Sequence, residues 1–455
     1  ALKVALVLSG TDQSFLDKSR EICLILSSKY AVADVVMRSS STPVGKFLSD
    51  HSSSLWVVLQ GDQKVDGLVT LLHEELSVPV LEVHMSGPEK VALQIAKFCG
   101  MVSSETRNLV EGAVQSNRQN RLVQDAQLRT KSPKYLSAIA SCYHDNLQLT
   151  QEATVNGVVH VHRGKVRDSY LGKDQLVLVT TDRQSGFDRQ LAVVPYKGAV
   201  LNLTSAYWFG QTKHIIPNHL LEVPHPNISV VRKCKPFPIE FVMRSYMTGS
   251  TSTSIWRNYQ DGVRNYCGYT LPEGMKKNQK LWKNILTPTT KEEEHDRPIA
   301  PADIVAEKWM TQADLDVCAA AAAKIFALGQ EIASQHGLIL VDTKYEFGRD
   351  ESTGEILLID EIHTPDSSRY WLASTYQDRI AEGKEPDNID KEFLRLWFKN
   401  NCDPYKDETI PDAPEDLVLE LSRRYVLLYE MITWKEFEFK EDNDIAPVIQ
   451  KYIAS

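Results

Sequence analysis

Between residues 338 and 361 the chain places charges where a buried strand should have none. Leu340-Val341-Asp342-Thr343-Lys344-Tyr345-Glu346-Phe347-Gly348 alternates charged or polar with apolar residues. A strand of that sequence puts Asp342, Lys344 and Glu346 on one face. Such charges are costly beside a core unless they are paired or bind a metal. After a short polar turn comes Ile356-Leu357-Leu358-Ile359-Asp360-Glu361, which predicts a β-hairpin. Glu346 and Asp360 then come from adjacent strands and can hold one hard cation. Mg²⁺ typically takes one or two carboxylates plus nucleotide phosphates. The residues alone leave a structural Lys–Glu ion pair as the alternative.

The rest of the chain narrows the setting. Its 455 residues suggest two or three domains. Lys and Arg total 51 against 60 Asp and Glu, a net charge of −9. That balance argues against a broad nucleic-acid or anionic-membrane surface but leaves room for a local basic pocket. The apolar runs are strand-sized, so no membrane partner is expected. Seven scattered Cys without a Cys-x-x-Cys pair read as reduced thiols in a cytoplasmic compartment. No secretory or transit segment is expected.

Residues 1–130 are expected to be an α/β domain. Strand runs at Leu2–Leu8, Ala33–Met37, Leu55–Leu59 and Val78–Val83 alternate with helical spacing at Phe15–Ser27 and Pro88–Phe98. Parallel βαβ units follow, with ligand positions near Gly10, Arg38–Pro43 and Gly61. Glu105–Arg129 reads as a solvated closing helix, and Lys131-Ser132-Pro133 as the boundary. Residues 131–455 read as α+β. Val158–His162 and Leu176–Thr181 look like neighbouring strands, and Pro238–Arg244 and Leu338–Phe347 like further ones. Helices are expected at Ala319–Gln335, capped by Gly337, and near Asp390–Lys399 and Asp416–Lys435.

Three further segments carry chemistry. Arg163-Gly164-Lys165-Val166-Arg167-Asp168 sets three cations around a Gly, which suits nucleotide phosphates or a charged β-turn. Thr181–Asp188 offers hydroxyls and carboxylates to a polar ligand, or a simple Asx turn. In Pro238–Ser250, alternation puts Glu240, Val242 and Arg244 on one face, and an Arg facing Gly249-Ser250 suits a phosphate. The alternative is a Glu240–Arg244 surface pair. Asp366-Ser367-Ser368-Arg369 supplies a second anion contact.

Together these residues resemble the SAICAR synthetases of purine biosynthesis over about residues 135–440. Arg163–Asp168, Thr181–Asp188, Pro238–Ser250, Thr287–Pro298, Leu340–Gly348 and Asp360–Trp371 occur in the family order. Pro288–Lys291 and Thr364–Trp371 are closest to the longer, yeast- and plant-like branch. The resemblance implies an α+β ATP-binding fold and ligation of L-aspartate to the carboxylate of the imidazole ribotide CAIR. ATP is cleaved to ADP and phosphate, through an acyl phosphate. It implies that Arg163, Gly164, Lys165 and Arg167 cradle ATP, with Lys233 and Lys235 on the adenine side. Glu346 and Asp360 hold Mg²⁺, and Lys344 neutralises charge at the reacting carboxylate. Arg244, Ser250 and Arg369 grip the ribotide phosphate, and Ser185 and Asp188 contact CAIR or aspartate. Lys291, His295 and Asp296 lie in a loop over the site.

Residues 1–130 resemble PurE-type AIR carboxylases and mutases, implying a flavodoxin-like parallel sheet. The functional positions depart: the family's Gly-Ser-x-Ser-Asp is Gly10–Ser14, its His and Arg are Ser40 and Ser41, and its Gly-rich run is Gln60–Val65. Ser cannot replace His in moving a proton near neutral pH. The expectation is a catalytically inactive domain used for assembly, giving a homo-oligomer such as an octamer. The competing expectations are a bifunctional carboxylase–ligase and a binding scaffold without turnover.

Overall fold

The computed structural model describes residues 3–8, 33–37, 55–60, 80–84, 119, 122–144, 146–148, 154–155, 158–159, 161–291, 296–389, 391–439 and 445–454. It divides into two compact units, Ala1–Gln119 and Asn120–Ser455. In the first, strands β1 (Lys3–Leu8), β2 (Ala33–Met37), β3 (Leu55–Gln60) and β4 (Val80–His84) pair in parallel in the order β2–β1–β3–β4. The expected helices, the Gly10, Arg38–Pro43 and Gly61 segments and Ser40 and Ser41 lie outside the described residues. Residues 131–133 lie within the second unit, where Ser132 caps helix α1 (Pro133–Ser141).

Among its described residues the second unit holds two large antiparallel sheets, of five and seven strands, and three two-stranded ribbons. Strands β5 (Val161–Arg163), β6 (Arg167–Leu171) and β7 (Gln175–Thr180) run on in sequence. A two-stranded ribbon follows, β8 (Arg183–Gly186) with β9 (Arg189–Val193). Helix α2 (Lys197–Thr212) leads to β10 (Leu220–His225) and β11 (Ile228–Arg232). The first sheet has the order β10–β11–β7–β6–β5. The strands expected as neighbours, 158–162 and 176–181, are therefore separated by β6, and Val158–Val159 pairs with Thr154–Val155 instead. The polar look of β6 hid it. Its Asp168 and Tyr170 face inward, and the buried Asp168 carboxylate is met by the Arg183 guanidinium.

The second sheet is built on β16 (Leu338–Asp350), the strand that carries Asp342, Lys344 and Glu346. Its members are β12 (Cys234–Pro236), β13 (Ile239–Tyr246), β14 (Lys280–Leu286), β15 (Thr289–Thr290), β16 (Leu338–Asp350), β17 (Ile356–Ile359) and β18 (Ser368–Leu372). The order is β12–β16–β13–β14, with β15 on β13 and both β17 and β18 on β16. The expected hairpin forms, with Glu346 opposite Ile359 and Phe347 opposite Leu358.

Helix α3 (Gln312–Gln335) covers this sheet. It begins seven residues earlier than expected, because the Thr311 side chain accepts from the Asp314 N–H and the following alanines favour helix. Its end is as expected: Gly337 adopts φ +73° just past the cap. By length and composition α3 could cross a membrane, which a search for unbroken apolar runs misses because Asp314, Asp316 and Lys324 interrupt it. Here its Ile325 and Phe326 face pack against Phe241, Leu340, Tyr345 and Phe347. Each such side chain contributes roughly 1.5–3 kcal/mol on burial. Helices α4 (Glu392–Asn401), α5 (Glu415–Thr433) and α6 (Ala446–Ile453) follow toward the C-terminal end, and shorter helices lie at Ile255–Gln260, Pro301–Ala306 and Ala373–Ala381. Helix α5 packs on α2 through Tyr425, Val426 and Val200, and α6 covers the first sheet through Ile449 and Ile453.

Candidate active site

The polar face of β16 is where the two sheets and their connections meet. The Lys344 ammonium lies 3.1 Å from Glu240 Oε1 and 3.4 Å from Asp360 Oδ2, and it also donates to Glu346 Oε1. Glu346 Oε2 accepts from Lys291 Nζ at 2.6 Å, and Asp360 Oδ1 accepts from Arg167 at 2.5 Å. The other Arg167 nitrogen lies 3.8 Å from Glu361. Three cations and four carboxylates from β6, β13, the β15 exit, β16 and the β17 exit thus share one site. The Glu346–Asp360 convergence is present, with Lys344 between the two.

Backbone geometry sets this up. Register pairs Val242 with Lys344, so Glu240 on β13 reaches the same face of the sheet. Glu240 is held from its other side by the Thr289 hydroxyl at 2.8 Å. Asp360 leaves the hairpin at φ +65°, a left-handed conformation that Asp tolerates better than most residues and that is common at functional sites.

Charge balance follows the geometry. Burial alone would lower the Lys344 pKa, but Glu240, Glu346 and Asp360 outweigh it and hold it well above the ordinary lysine value. Burial pushes the Asp360 carboxyl up, and Arg167, Lys344 and Lys291 more than reverse this, holding it well below the usual range. Burial pushes the Glu240 carboxyl up, and Lys344, the Thr289 hydroxyl and Lys291 together outweigh it, so it too is lowered. Glu361 is raised, by burial and then by the neighbouring Asp360 charge. Lys344 therefore stays charged and Asp360 stays ionised across the neutral range.

A second set of cations surrounds Asp342. Its Oδ2 accepts from Arg244 at 3.1 Å and from Arg369 at 2.7 Å. Arg244 also donates to Thr287 Oγ1 at 2.9 Å and to the Thr253 carbonyl, while Arg369 reaches Glu392 at 3.2 Å. The alternative Glu240–Arg244 pair does not form: the two bond to Lys344 and Asp342 instead. Gly249 approaches this set closely. At φ +106°, an added Cβ would lie 2.4 Å from the Ser254 Cβ and 3.3 Å from an Arg369 nitrogen.

Alongside runs an open cleft of about 940 Å³ lined by Asp188, Ser250, Thr253, Arg257, Asp296 and Lys399, among others. It gathers Asp188, Ser250 and Asp296 from segments far apart in the chain. Ser185 is half-buried one register step into the β8–β9 ribbon. His295 lies outside the described residues.

The remaining expected residues are more dispersed. Gly164 closes the β5–β6 turn, donating to the Arg167 carbonyl at 2.8 Å, and Arg163 pairs with Asp168 at 3.8 Å. Lys165 pairs with Asp188 at 2.6 Å and does not join the Lys344 cluster. Lys233 donates to the Lys173 carbonyl, and exposed Lys235 pairs in register with Arg349. Both stand on the connector beside the far end of β16. Reading the sequence missed Glu361, Glu392 and the anchoring part of Asp342. It also missed a buried pair behind the site, Lys197 and Asp366 at 3.0 Å, with Asp366 accepting from Tyr425 at 2.6 Å. Glu392 and Lys197 carry no local signal. Glu361 and Asp342 were visible as charges next to apolar strand residues.

The donor chemistry fits a hard divalent cation in part. Glu346 and Asp360 offer only oxygen, and they converge. Among the described residues no group of three or more His, Cys, Asp or Glu is arranged to hold a metal by itself. Phosphate and water oxygens would have to complete the shell, as is usual for Mg²⁺.

Comparison with known proteins bears on this arrangement. Residues 160–411 match the family model described as SAICAR synthetase. A phosphoribosylaminoimidazole-succinocarboxamide synthase of Legionella pneumophila (strain Paris) is 63% identical over 287 residues, 63% of this chain and 91% of that protein. A chloroplastic one of Arabidopsis thaliana is 60% identical over 281 residues, 62% of this chain and 68% of that protein. Among solved structures, the SAICAR synthase from Saccharomyces cerevisiae complexed with SAICAR is similar with a TM-score of 0.54 and 30% identity. That match covers 63% of this chain and 99% of the yeast chain.

Proposed function

Because this chain belongs to the SAICAR synthetase family, we propose that the second unit ligates L-aspartate to the carboxylate of CAIR with cleavage of ATP, giving SAICAR, ADP and phosphate. A CAIR carboxylate oxygen attacks the γ-phosphorus and ADP leaves. The aspartate amine then attacks the acyl carbon, loses a proton, and phosphate leaves. Such chemistry needs positioning and charge neutralisation more than a protein nucleophile.

The residues take these parts. Arg167 and Lys165, on the Gly164 turn, meet the ATP phosphates, with Arg163 beside them and Lys233 and Lys235 toward the base. Lys344 neutralises charge where the carboxylate and γ-phosphate meet. Glu346 and Asp360 would hold Mg²⁺, which when bound screens the phosphate oxygens from one another. Arg244, Arg369 and Ser250 hold the ribotide phosphate, whose arrival competes with Asp342 for the two guanidiniums. Asp188 and Asp296 line the cleft beside it, with Ser185 nearby, and serve CAIR and aspartate. Lys291 and His295 belong to the segment that shields the acyl phosphate from water.

The observation that carries this reading is the convergence of Glu346 and Asp360 on Lys344. Glu346→Gln and Asp360→Asn test it by ADP release with CAIR, aspartate, ATP and Mg²⁺. Folded proteins with at least about 100-fold slower turnover are expected; unchanged turnover in both would remove the assignment.

We propose further that the first unit, residues 1–119, is a PurE-like module without carboxylase activity that assembles the enzyme as a homo-oligomer, an octamer being the expected form. Support comes from the loss of the titratable residues at 40 and 41 and from the Legionella relative, matched over 91% of its length by only 63% of this chain. A cytoplasmic-type, reducing compartment fits the thiols, since Cys234, Cys267, Cys318 and Cys402 form no disulfide.

A further inference from the structure

Arg183 lies outside the Lys344 cluster, yet it holds the turn that carries Lys165 and Arg167. Its side chain is 7% exposed. Nε donates to the Lys165 carbonyl at 3.3 Å and Nη1 to the Gln148 carbonyl at 2.7 Å. Nη2 donates to the Gly164 carbonyl at 3.0 Å and to Asp168 Oδ1 at 2.6 Å, and Asp168 is wholly buried. Each nitrogen of one planar group is thus committed, and two of the four acceptors are carbonyls of the turn itself.

Three other contacts hold the same turn, two from Thr181 just before β8 and one from Asp188 in the β8–β9 turn. The Val166 carbonyl accepts from the Thr181 N–H at 3.0 Å and from its hydroxyl at 2.6 Å. Lys165 pairs with Asp188 across the ribbon at 2.6 Å. The turn is also tight, since a Cβ at Gly164 would lie 2.8 Å from the Arg167 carbonyl oxygen. A carbonyl facing a polyphosphate repels it. With the Gly164, Lys165 and Val166 carbonyls taken up by Arg183 and Thr181, these three backbone oxygens are bonded away from the cations of the turn.

We infer that Arg183 is a positioning residue for nucleotide binding, locking turn 164–167 onto the β8 segment by bonding its carbonyls. This rests on the reading of that turn as the ATP phosphate site. Arg183→Lys in the full chain keeps a cation on Asp168, but one ammonium cannot span divergent carbonyls. Thr181→Val removes one hydrogen bond from the same lock, and Lys165→Gln tests the ATP reading itself. The readouts are the Kd of ADP, the separate KM values for ATP and CAIR, kcat, and Tm.

The expected result for Arg183→Lys is an ADP Kd and an ATP KM raised about tenfold, as for the loss of about 1.4 kcal/mol, with the CAIR KM and kcat within about twofold. Thr181→Val is expected to move ADP affinity the same way by about threefold. A folded Arg183→Lys protein with unchanged ADP affinity, while Lys165→Gln weakens it, would overturn the inference and leave the ATP site standing. Equal rises in both KM values would mark general loosening and would also overturn it. If Arg183→Lys does not fold, unchanged ADP affinity in Thr181→Val decides against it. Unchanged affinity in Lys165→Gln would remove the ATP reading, and the inference with it.

Discussion

Lys344 is a single cation answering three carboxylates, and that imbalance sets the expected effect of removing it. Lys344→Met leaves Glu240, Glu346 and Asp360 facing one another with Lys291 and Arg167 as the remaining cations. Breaking a buried pair by deleting one partner typically costs 3–5 kcal/mol. The expectation is turnover reduced by at least about 100-fold and a lower Tm, read by ADP release and thermal melting. The Arg369–Asp342–Arg244 set makes a different claim. Arg369→Lys keeps the charge but loses the fork that reaches Asp342 and Glu392 together. It is expected to raise the CAIR KM about tenfold or more while leaving the ATP KM within about twofold. An unchanged CAIR KM would exclude Arg369 from phosphate binding. At this scale the sequence was a good guide to which residues carry charge into the site, because a charge on an apolar strand needs an explanation. It was a poor guide to partners. Glu240 and Arg244 share a strand face, yet they part, because neighbouring strands bring Lys344 to one and Asp342 to the other.

Helix α2 shows what an element asks of one buried carboxylate. Asp182 Oδ1 accepts from the Gly198 N–H at 2.8 Å in the first turn of α2, and Oδ2 accepts from the Leu147 N–H at 2.9 Å. Burial pushes the Asp182 carboxyl up to about 6, against the help of those two bonds and of Lys197. Its native pKa exceeds the ordinary value of 3.8, so the native state binds the extra proton between those limits. Stability from this group is complete below about pH 4 and is lost as pH rises through about 6. The span corresponds to about 3 kcal/mol. Asp182→Asn lacks this dependence. The Tm of the variant minus that of the wild type is expected to become more positive from about pH 4.5 to about pH 7, and a flat difference would exclude the titration. The elements themselves were legible where period and caps agreed, as at the C-terminal end of α3. They were illegible where polar residues point inward: β6 reads as a turn until Arg183 is seen meeting Asp168.

At the scale of the whole molecule the expectation concerns the two units. A protein comprising the second unit, residues 120–455, is expected to retain ADP release dependent on CAIR, aspartate and ATP, because every described residue of the proposed site lies in that range and the core residue Ala126 and the Arg129–Glu430 pair are kept. Loss of all turnover in a folded truncation would refute the separation. Light scattering should show the full chain as an oligomer larger than the truncation, and equal masses would remove the assembly role from residues 1–119. The full chain is expected to form no CAIR from AIR with CO₂, as followed by ribotide absorbance. Measurable formation would restore the bifunctional alternative.

By itself the sequence determined that charged residues would line one strand of an antiparallel sheet, that a Gly-centred basic turn would precede them, and which family's motif order they follow. Those properties are local or ordered along the chain, and alternation, turn chemistry and spacing report them directly. Only the tertiary structure decided that Lys344 would sit among Glu240, Glu346 and Asp360, that Arg244 would choose Asp342, and that Arg183 would fasten the turn from behind. Each of those outcomes depends on strand register and on the packing of segments many residues apart, and no local pattern encodes either.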